Sequence, residues 1–103
     1  MIQLERQLAI FSNLHHGQQS IHHLQMLMFI GREESCTYQD IEKQFHLSNA
    51  AVSRSMNALA ETPRHRKTGL NLIEIYRDPR EGRRYRVRLA KKGKLIYDQI
   101  LAA

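Results

Sequence analysis

Apolar positions along the chain recur first at helical and later at strand spacing. Ile2, Leu4, Leu8, Phe11 and Leu14 predict a first helix over residues 2–14. The stretch from His15 to Ser20, with Gly17 inside it, reads as a break, and Ser20 can cap a second helix. That helix carries Ile21, Leu24, Leu27 and Met28 on one face, and Gly31 is expected to end it as a C-terminal glycine. Thr37 then caps a short helix from Tyr38 to about Gln44, with Asp40 in the first turn, where the helix dipole favours an acid. Ile41 and Phe45 are its buried face. The connection Phe45-His46-Leu47-Ser48 leads to a further helix, capped by Ser48 and running from Asn49 to about Glu61. Val52, Met56 and Leu59 form its apolar stripe, while Asn49, Ala50, Ser53, Arg54 and Asn57 form the opposite, polar face.

Beyond that helix the period shortens. Leu72-Ile73-Glu74-Ile75-Tyr76 is β-prone, and Tyr85-Arg86-Val87-Arg88-Leu89 alternates apolar and arginine with a period of two. Asp78-Pro79-Arg80-Glu81-Gly82-Arg83 between them is turn chemistry with an exposed tip. A last helix runs from about Ala90 to Leu101, with Leu95, Ile96 and Ile100 available for packing. No internal repeat, low-complexity tract or linker interrupts the chain. The fold class expected is mainly α with a small β-hairpin, a winged helix-turn-helix of the α+β kind.

A length of 103 residues with 42% hydrophobic content supplies one domain, expected to span residues 1–103. Two-domain architectures and most large α/β enzyme folds are excluded. The longest apolar run is Met26 to Ile30, too short to span a bilayer, and Glu5 and Arg6 break the layout of a secretory signal. Cys36 is the single cysteine, so neither an intrachain disulfide nor a cysteine-based zinc cluster can form within the chain. A buried or strand-edge position suits it better than a redox role. A soluble cytoplasmic domain, associated with the nucleoid, is the expectation.

Charge sharpens the picture through its distribution. The net charge is +6, yet the segment from Arg64 to Lys94 holds 12 basic and 3 acidic residues. The rest of the chain is net acidic. Such segregation presents a basic patch to an anionic partner, most often a phosphate backbone. Two short helices joined by a tight turn, the second with a polar face, match a DNA-reading arrangement. Arg54 can give two hydrogen bonds to guanine, and Asn49 or Asn57 can do the same for adenine. Ala50 and Ser53 are small enough to let the helix approach base edges. Arg80, Arg83 and Arg84 lie at or beside the hairpin tip. Arg66 and Lys67, in the basic loop from Thr62 to Thr68, suit phosphate contacts. Arg84, Arg86 and Arg88 alternate along one strand face, where Glu74 can neutralise one of them across the hairpin. Lys91, Lys92 and Lys94 add general attraction.

These residues resemble the MarR-type winged-helix regulators. The resemblance rests on Thr37-Tyr38-Gln39-Asp40-Ile41, on Leu47-Ser48-Asn49-Ala50-Ala51-Val52-Ser53-Arg54, and on Gly69-Leu70 through Leu89. It is most specific at Arg77-Asp78-Pro79-Arg80-Glu81-Gly82-Arg83 followed by Val87-Arg88-Leu89-Ala90-Lys91-Lys92-Gly93. The family's wing reads roughly R-x-D-P-x-D-x-R, then V-x-L-T-x-K-G, and the likeness covers about residues 20–101. It implies that Glu81 and Arg83 hold the acid-x-arginine positions of the wing, the acid orienting the arginine that enters the minor groove. Val52, Ser53 and Arg54 fall at positions of the recognition helix, the element that the resemblance places in the major groove. The wing acid is Glu rather than Asp, and Ala90 replaces the usual Thr cap of the last helix. Relatives commonly run longer and end in a long dimerisation helix. Either the first and last helices make a smaller interface here, through Leu8, Phe11, Leu14, Ile96 and Ile100, or the assembly differs. The implied function is a sequence-specific regulator of transcription, a repressor, acting as a homodimer on palindromic double-stranded DNA.

Other chemistry has little support. His15, His16, His22 and His23 form two adjacent pairs, but no Cys, Asp or Glu joins them, so no metal and no cofactor are expected. There is no Gly-rich phosphate loop, metalloprotease spacing or nucleophile elbow, and the chain reads as a non-enzyme. The rival reading is a winged-helix protein-interaction or architectural module, as in a mobile element or virus, with nonspecific nucleic-acid binding.

Overall fold

The computed structural model describes residues 2–12, 21–60 and 71–103. Among them the order is α1 (Ile2–Ser12), α2 (Ile21–Glu33), β1 (Cys36–Thr37), α3 (Tyr38–Phe45), α4 (Asn49–Leu59), β2 (Ile73–Arg77), β3 (Tyr85–Leu89) and α5 (Lys91–Ala102). The three strands form one antiparallel sheet with β3 in the centre, in the order β1-β3-β2. This is a winged helix-turn-helix, mainly helical with a small sheet. Ser20, the proposed cap of α2, lies outside the described residues, as do Leu14, Arg66, Lys67, Gly69 and Leu70.

Most of the apolar positions read from the sequence converge on one core, although Leu4 and Ile21 are exposed. Leu27 and Ile30 of α2, Ile41 of α3, and Val52, Met56 and Leu59 of α4 are fully buried there with Leu72, Ile73 and Val87. Each helix thus hides a stripe at helical spacing, which is how a short amphipathic helix is stabilised in water. Transfer of these side chains from water is worth roughly 1.5–3 kcal/mol apiece.

Four departures from expectation have physical reasons. Helix α2 does not stop at Gly31 but continues to Glu33, and the chain turns at Glu34 with φ 67°. Gly31 is instead a packing residue: a Cβ there would lie 2.5 Å from Cε1 of Tyr97 on α5. Helix α4 ends at Leu59, short of Glu61, because the carbonyls of Leu59 and Ala60 accept the amides of Leu72 and Asn71 at 2.8 Å each. Strand β1 was not expected. At two residues it carries no periodic signal, yet Cys36 and Thr37 pair with Val87 and Arg86. Leu95, expected to pack, is 57% exposed.

The terminal helices pack against the core and against each other. Ile100 is buried in the core of this chain, and Leu8 and Ile96 pack against that core. Gln7 on α1 donates from Nε2 to the Ile100 carbonyl at 2.9 Å, fastening α1 along α5. Within the single chain Ile100 is thus turned inward, while Leu8 and Ile96 are half-buried; among the described residues the exposed large apolar side chains of α1 and α5 are Leu4, Leu95 and Leu101. The side chain of Phe11 is outside the described residues. Ala90 precedes α5 without a side-chain cap, as its identity implies. Gly93 in the first turn of α5 lies against the Leu72 carbonyl, which also accepts the Ala90 amide at 2.9 Å. Any side chain at Gly93 would strike that carbonyl.

Candidate nucleic-acid interface

The helix-turn-helix is fixed by caps at both helix starts. The Thr37 hydroxyl accepts the Asp40 amide at 3.1 Å, and the Asp40 carboxylate accepts the Thr37 amide at 2.9 Å. This reciprocal box satisfies two amides that the first turn of α3 would otherwise leave unpaired. Asp40 thus does more than complement the dipole. His46 takes the left-handed conformation, φ 55°, and the Leu47 amide returns to the Glu42 carbonyl at 3.1 Å, closing the turn. Ser48 then caps α4 by accepting the Ala51 amide at 3.2 Å.

With Val52 and Met56 pointing inward, α4 turns Ala50, Arg54 and Asn57 to solvent, while Ser53 is half-buried. The Arg54 guanidinium has no hydrogen bond or ion pair among the described residues. Asn49 is different: its Nδ2 donates to the Glu42 carboxylate at 3.2 Å, so this amide is already engaged within the chain.

The hairpin from β2 to β3 pairs Glu74 with Arg88, Tyr76 with Arg86 and Arg77 with Tyr85. Its turn is closed by the Asp78 amide on the Arg84 carbonyl and the Arg84 amide on the Glu81 carbonyl, both 2.9 Å. Arg77 donates from Nη1 to the Gly82 carbonyl at 2.7 Å. Glu81 does not pair with Arg83, as the family resemblance implied, but with Arg84, Nη2 to Oε2 at 3.0 Å. Two side chains three apart across this turn stand side by side, and Arg83 projects alone. Arg80 and Arg83 are exposed, with no partner for either guanidinium among the described residues.

Along the strand face, Arg88 pairs with Glu74 at 3.6 Å and covers the Tyr76 ring at 4.4 Å, as the cross-hairpin spacing allowed. Arg86 turns toward Asp78 at 3.5 Å. The Asp78 carboxyl accepts the Arg80 amide at 2.8 Å, and this bond, helped by the Glu81 amide and Arg86, lowers its pKa despite a desolvation cost. Cys36 lies buried on β1, and burial pushes its thiol up to about 12. A thiol held protonated in this way is not a nucleophile at neutral pH.

Helix and wing meet in one cleft. Asn49 and Ser53 of α4, Tyr38 and Gln39 of α3, and Glu81, Arg83, Arg84 and Tyr85 of the hairpin line a groove of about 410 Å³. The Tyr38 and Tyr85 rings among its lining are 5.7 Å apart, and the Arg77 guanidinium lies over the Tyr85 ring at 5.3 Å. Tyr38, Gln39 and Tyr85 were not among the residues singled out from the sequence. The signal available was their position, since the first turn of α3 and the first residue of β3 flank the two elements that were.

No family model matches the chain, and no curated protein sequence does. Solved structures match it well. A crystal structure of MarR superposes with a TM-score of 0.64 at 25% identity, covering 78% of this chain and 49% of that one. The fold is the MarR-type winged helix. FabT of Streptococcus pneumoniae in complex with DNA gives 0.67 at 24% identity, over 80% of this chain and 52% of FabT. A mutant MarR from E. coli complexed with operator DNA gives 0.69 at 17% identity, over 99% and 67%. The chain spans about half the length of the first two. Among the described residues no helix is long and apolar enough to cross a membrane.

Proposed function

We propose that this chain is a MarR-type regulator of transcription that binds double-stranded DNA sequence-specifically, and that it acts as a repressor. The observation that carries the reading is the shared groove between α4 and the hairpin, which brings helix and wing onto one face. Arg54, Asn57, Ala50 and Ser53 face the major groove, with Arg54 reading guanine. Asn49, held by Glu42, aids the approach of the helix rather than reading adenine. Arg80 and Arg83 reach the minor groove or backbone from the wing. Ser48 holds the start of α4 in place, and Arg66 and Lys67 contribute phosphate contacts. The solved structures of FabT and of the mutant MarR in complex with DNA support the DNA-binding reading.

The chain forms one domain and pairs as a homodimer on a palindromic site. Leu8, Phe11, Leu14 and Ile96 contribute to that pairing, and among the described residues Leu4, Leu95 and Leu101 are the exposed large apolar side chains of α1 and α5 beside them in sequence. No catalytic step, metal or cofactor enters this function, and the protein works in the cytoplasm at the nucleoid. Selection of bound duplexes from a random pool tests it. A two-fold symmetric motif is expected. No enriched motif at physiological salt would overturn sequence specificity and favour an architectural role.

A further inference from the structure

The middle of β3 carries an arginine that behaves unlike its neighbours. Arg86 donates from Nε to the Ser35 hydroxyl at 3.0 Å and from Nη1 to the Asp78 carboxylate at 3.5 Å. The Ser35 hydroxyl shares a hydrogen bond of 2.6 Å with the hydroxyl of Tyr76, the residue paired with Arg86 across the hairpin. Asp78 is buried, and it holds the first turn of the wing through the Arg80 amide and the Arg84 carbonyl. A continuous polar chain thus runs from Ser35, just past the end of α2, through Tyr76 and Arg86 to the base of the wing tip. The Arg86 side chain is 28% exposed, against 51% for Arg88.

We propose that Arg86 is a positioning residue, which with Ser35, Tyr76 and Asp78 fixes the wing tip relative to the helical body and does not itself contact phosphate. This deepens the DNA-binding reading and rests on it. The tip from Pro79 to Arg84 is held by hydrogen bonds and one ion pair, so its place depends on the polar groups at its base. A guanidinium suits the task because its planar fork can reach a hydroxyl and a carboxylate at once; an ammonium is a single point of charge. The free arginines of the tip then meet DNA from a fixed stance, which lowers the ordering cost of binding.

Arg86→Lys separates position from charge. If Arg86 acts as a positioning residue, Lys fails as Gln does; if it is a phosphate contact, Lys retains most of the affinity. Amide exchange at Asp78 and Arg84, measured without DNA, should quicken about tenfold in Arg86→Lys and Arg86→Gln, with the buried Val52 amide unchanged. Tyr76→Phe, which removes a single hydroxyl and leaves the ring under Arg88, should quicken them about threefold. On a mixed-sequence duplex, both Arg86 variants should bind about tenfold more weakly, with the slope of log K against log salt unchanged. A slope lowered by about one unit in Arg86→Gln and retained in Arg86→Lys would overturn the proposal. Unchanged exchange at Asp78 and Arg84 would overturn it too. If the wild-type chain bound no duplex, the DNA-binding reading would fail, while the exchange measurement would still decide whether Arg86 holds the tip.

Discussion

Helix α4 and the hairpin tip hold their exposed arginines by opposite means. Both present arginines to solvent. Helix α4 does so by burying Val52, Met56 and Leu59, so that Arg54 stands on a scaffold held by the core. The wing tip has no such buried stripe: Arg80 and Arg83 stand on a turn tied by Asp78, Arg77 and the Glu81–Arg84 pair. Apolar burial is insensitive to salt and pH, whereas exposed ion pairs and carboxylates are not. One face of the chain therefore combines a helix anchored by apolar burial with a hairpin tip held by polar contacts.

The largest expected effect tests the half anchored by burial. Met56→Ala removes a fully buried side chain beneath α4 and should cost about 2–5 kcal/mol of global stability, measured by urea denaturation. Arg84→Ala, in the wing, should cost about 0–1 kcal/mol, as exposed pairs do. Comparable losses from the two substitutions would break the contrast.

Next in size is base reading. Arg54→Ala should weaken binding to the selected site by about 1–3 kcal/mol and relax one base position per half-site. Uniform weakening on all sequences would make Arg54 a phosphate contact. Arg83→Ala should do the converse, weakening many sequences in parallel and reducing the salt slope by about one unit. Salt titrations of both variants, on the selected site and on a scrambled duplex, compare helix and wing directly.

Acid sharpens the same contrast. The Asp78 carboxyl titrates below its ordinary 3.8 in the folded chain, chiefly through the Arg80 amide. Its contribution to the hairpin is therefore complete above 3.8 and disappears as the pH falls through the lower folded-state value. Exchange of the Arg84 amide should quicken in that range, relative to Val52, and Asp78→Asn should remove the pH dependence.

The half built on burial was legible in the sequence, and the half built on side-chain geometry was legible only as composition. Val52, Met56 and Leu59 announce α4 by their spacing, and alternation announces β3. Thr37 and Ser48 announce their helices because capping is a local property of the chain. Gly31 misleads because a glycine that allows a ring to approach and a glycine that ends a helix look alike in one dimension. Strand β1 is hidden because two residues have no period, and its pairing with Val87 and Arg86 spans half the chain. Ile96 and Ile100 have an apolar spacing that fits an intrachain core or a partner's surface equally well. The choice between them depends on where α1 lies against α5. At the wing, the sequence locates the acid and the arginines, but which pair forms depends on how the turn folds.

That last point leads to the smallest and most discriminating prediction. If Glu81 oriented Arg83, as the family resemblance implied, Glu81→Ala would weaken DNA binding as a milder form of Arg83→Ala. The observed pair is Glu81 with Arg84, at 3.0 Å, with both side chains largely open to solvent. Removing the carboxylate deletes one negative charge from the groove and frees the Arg84 guanidinium for phosphate. The pair itself is worth only about 0–1 kcal/mol, so folding is little affected. Binding should then tighten slightly on selected and scrambled duplexes alike, with a salt slope steeper by up to about one unit. The enriched motif should not change, because no base-reading group of α4 is altered. The Glu81→Ala, Arg84→Ala double variant should return the slope to the wild-type value. Weaker binding by Glu81→Ala with an unchanged slope would mean that the acid orients Arg83 on DNA, and that the pairing seen in the free chain is exchanged on binding.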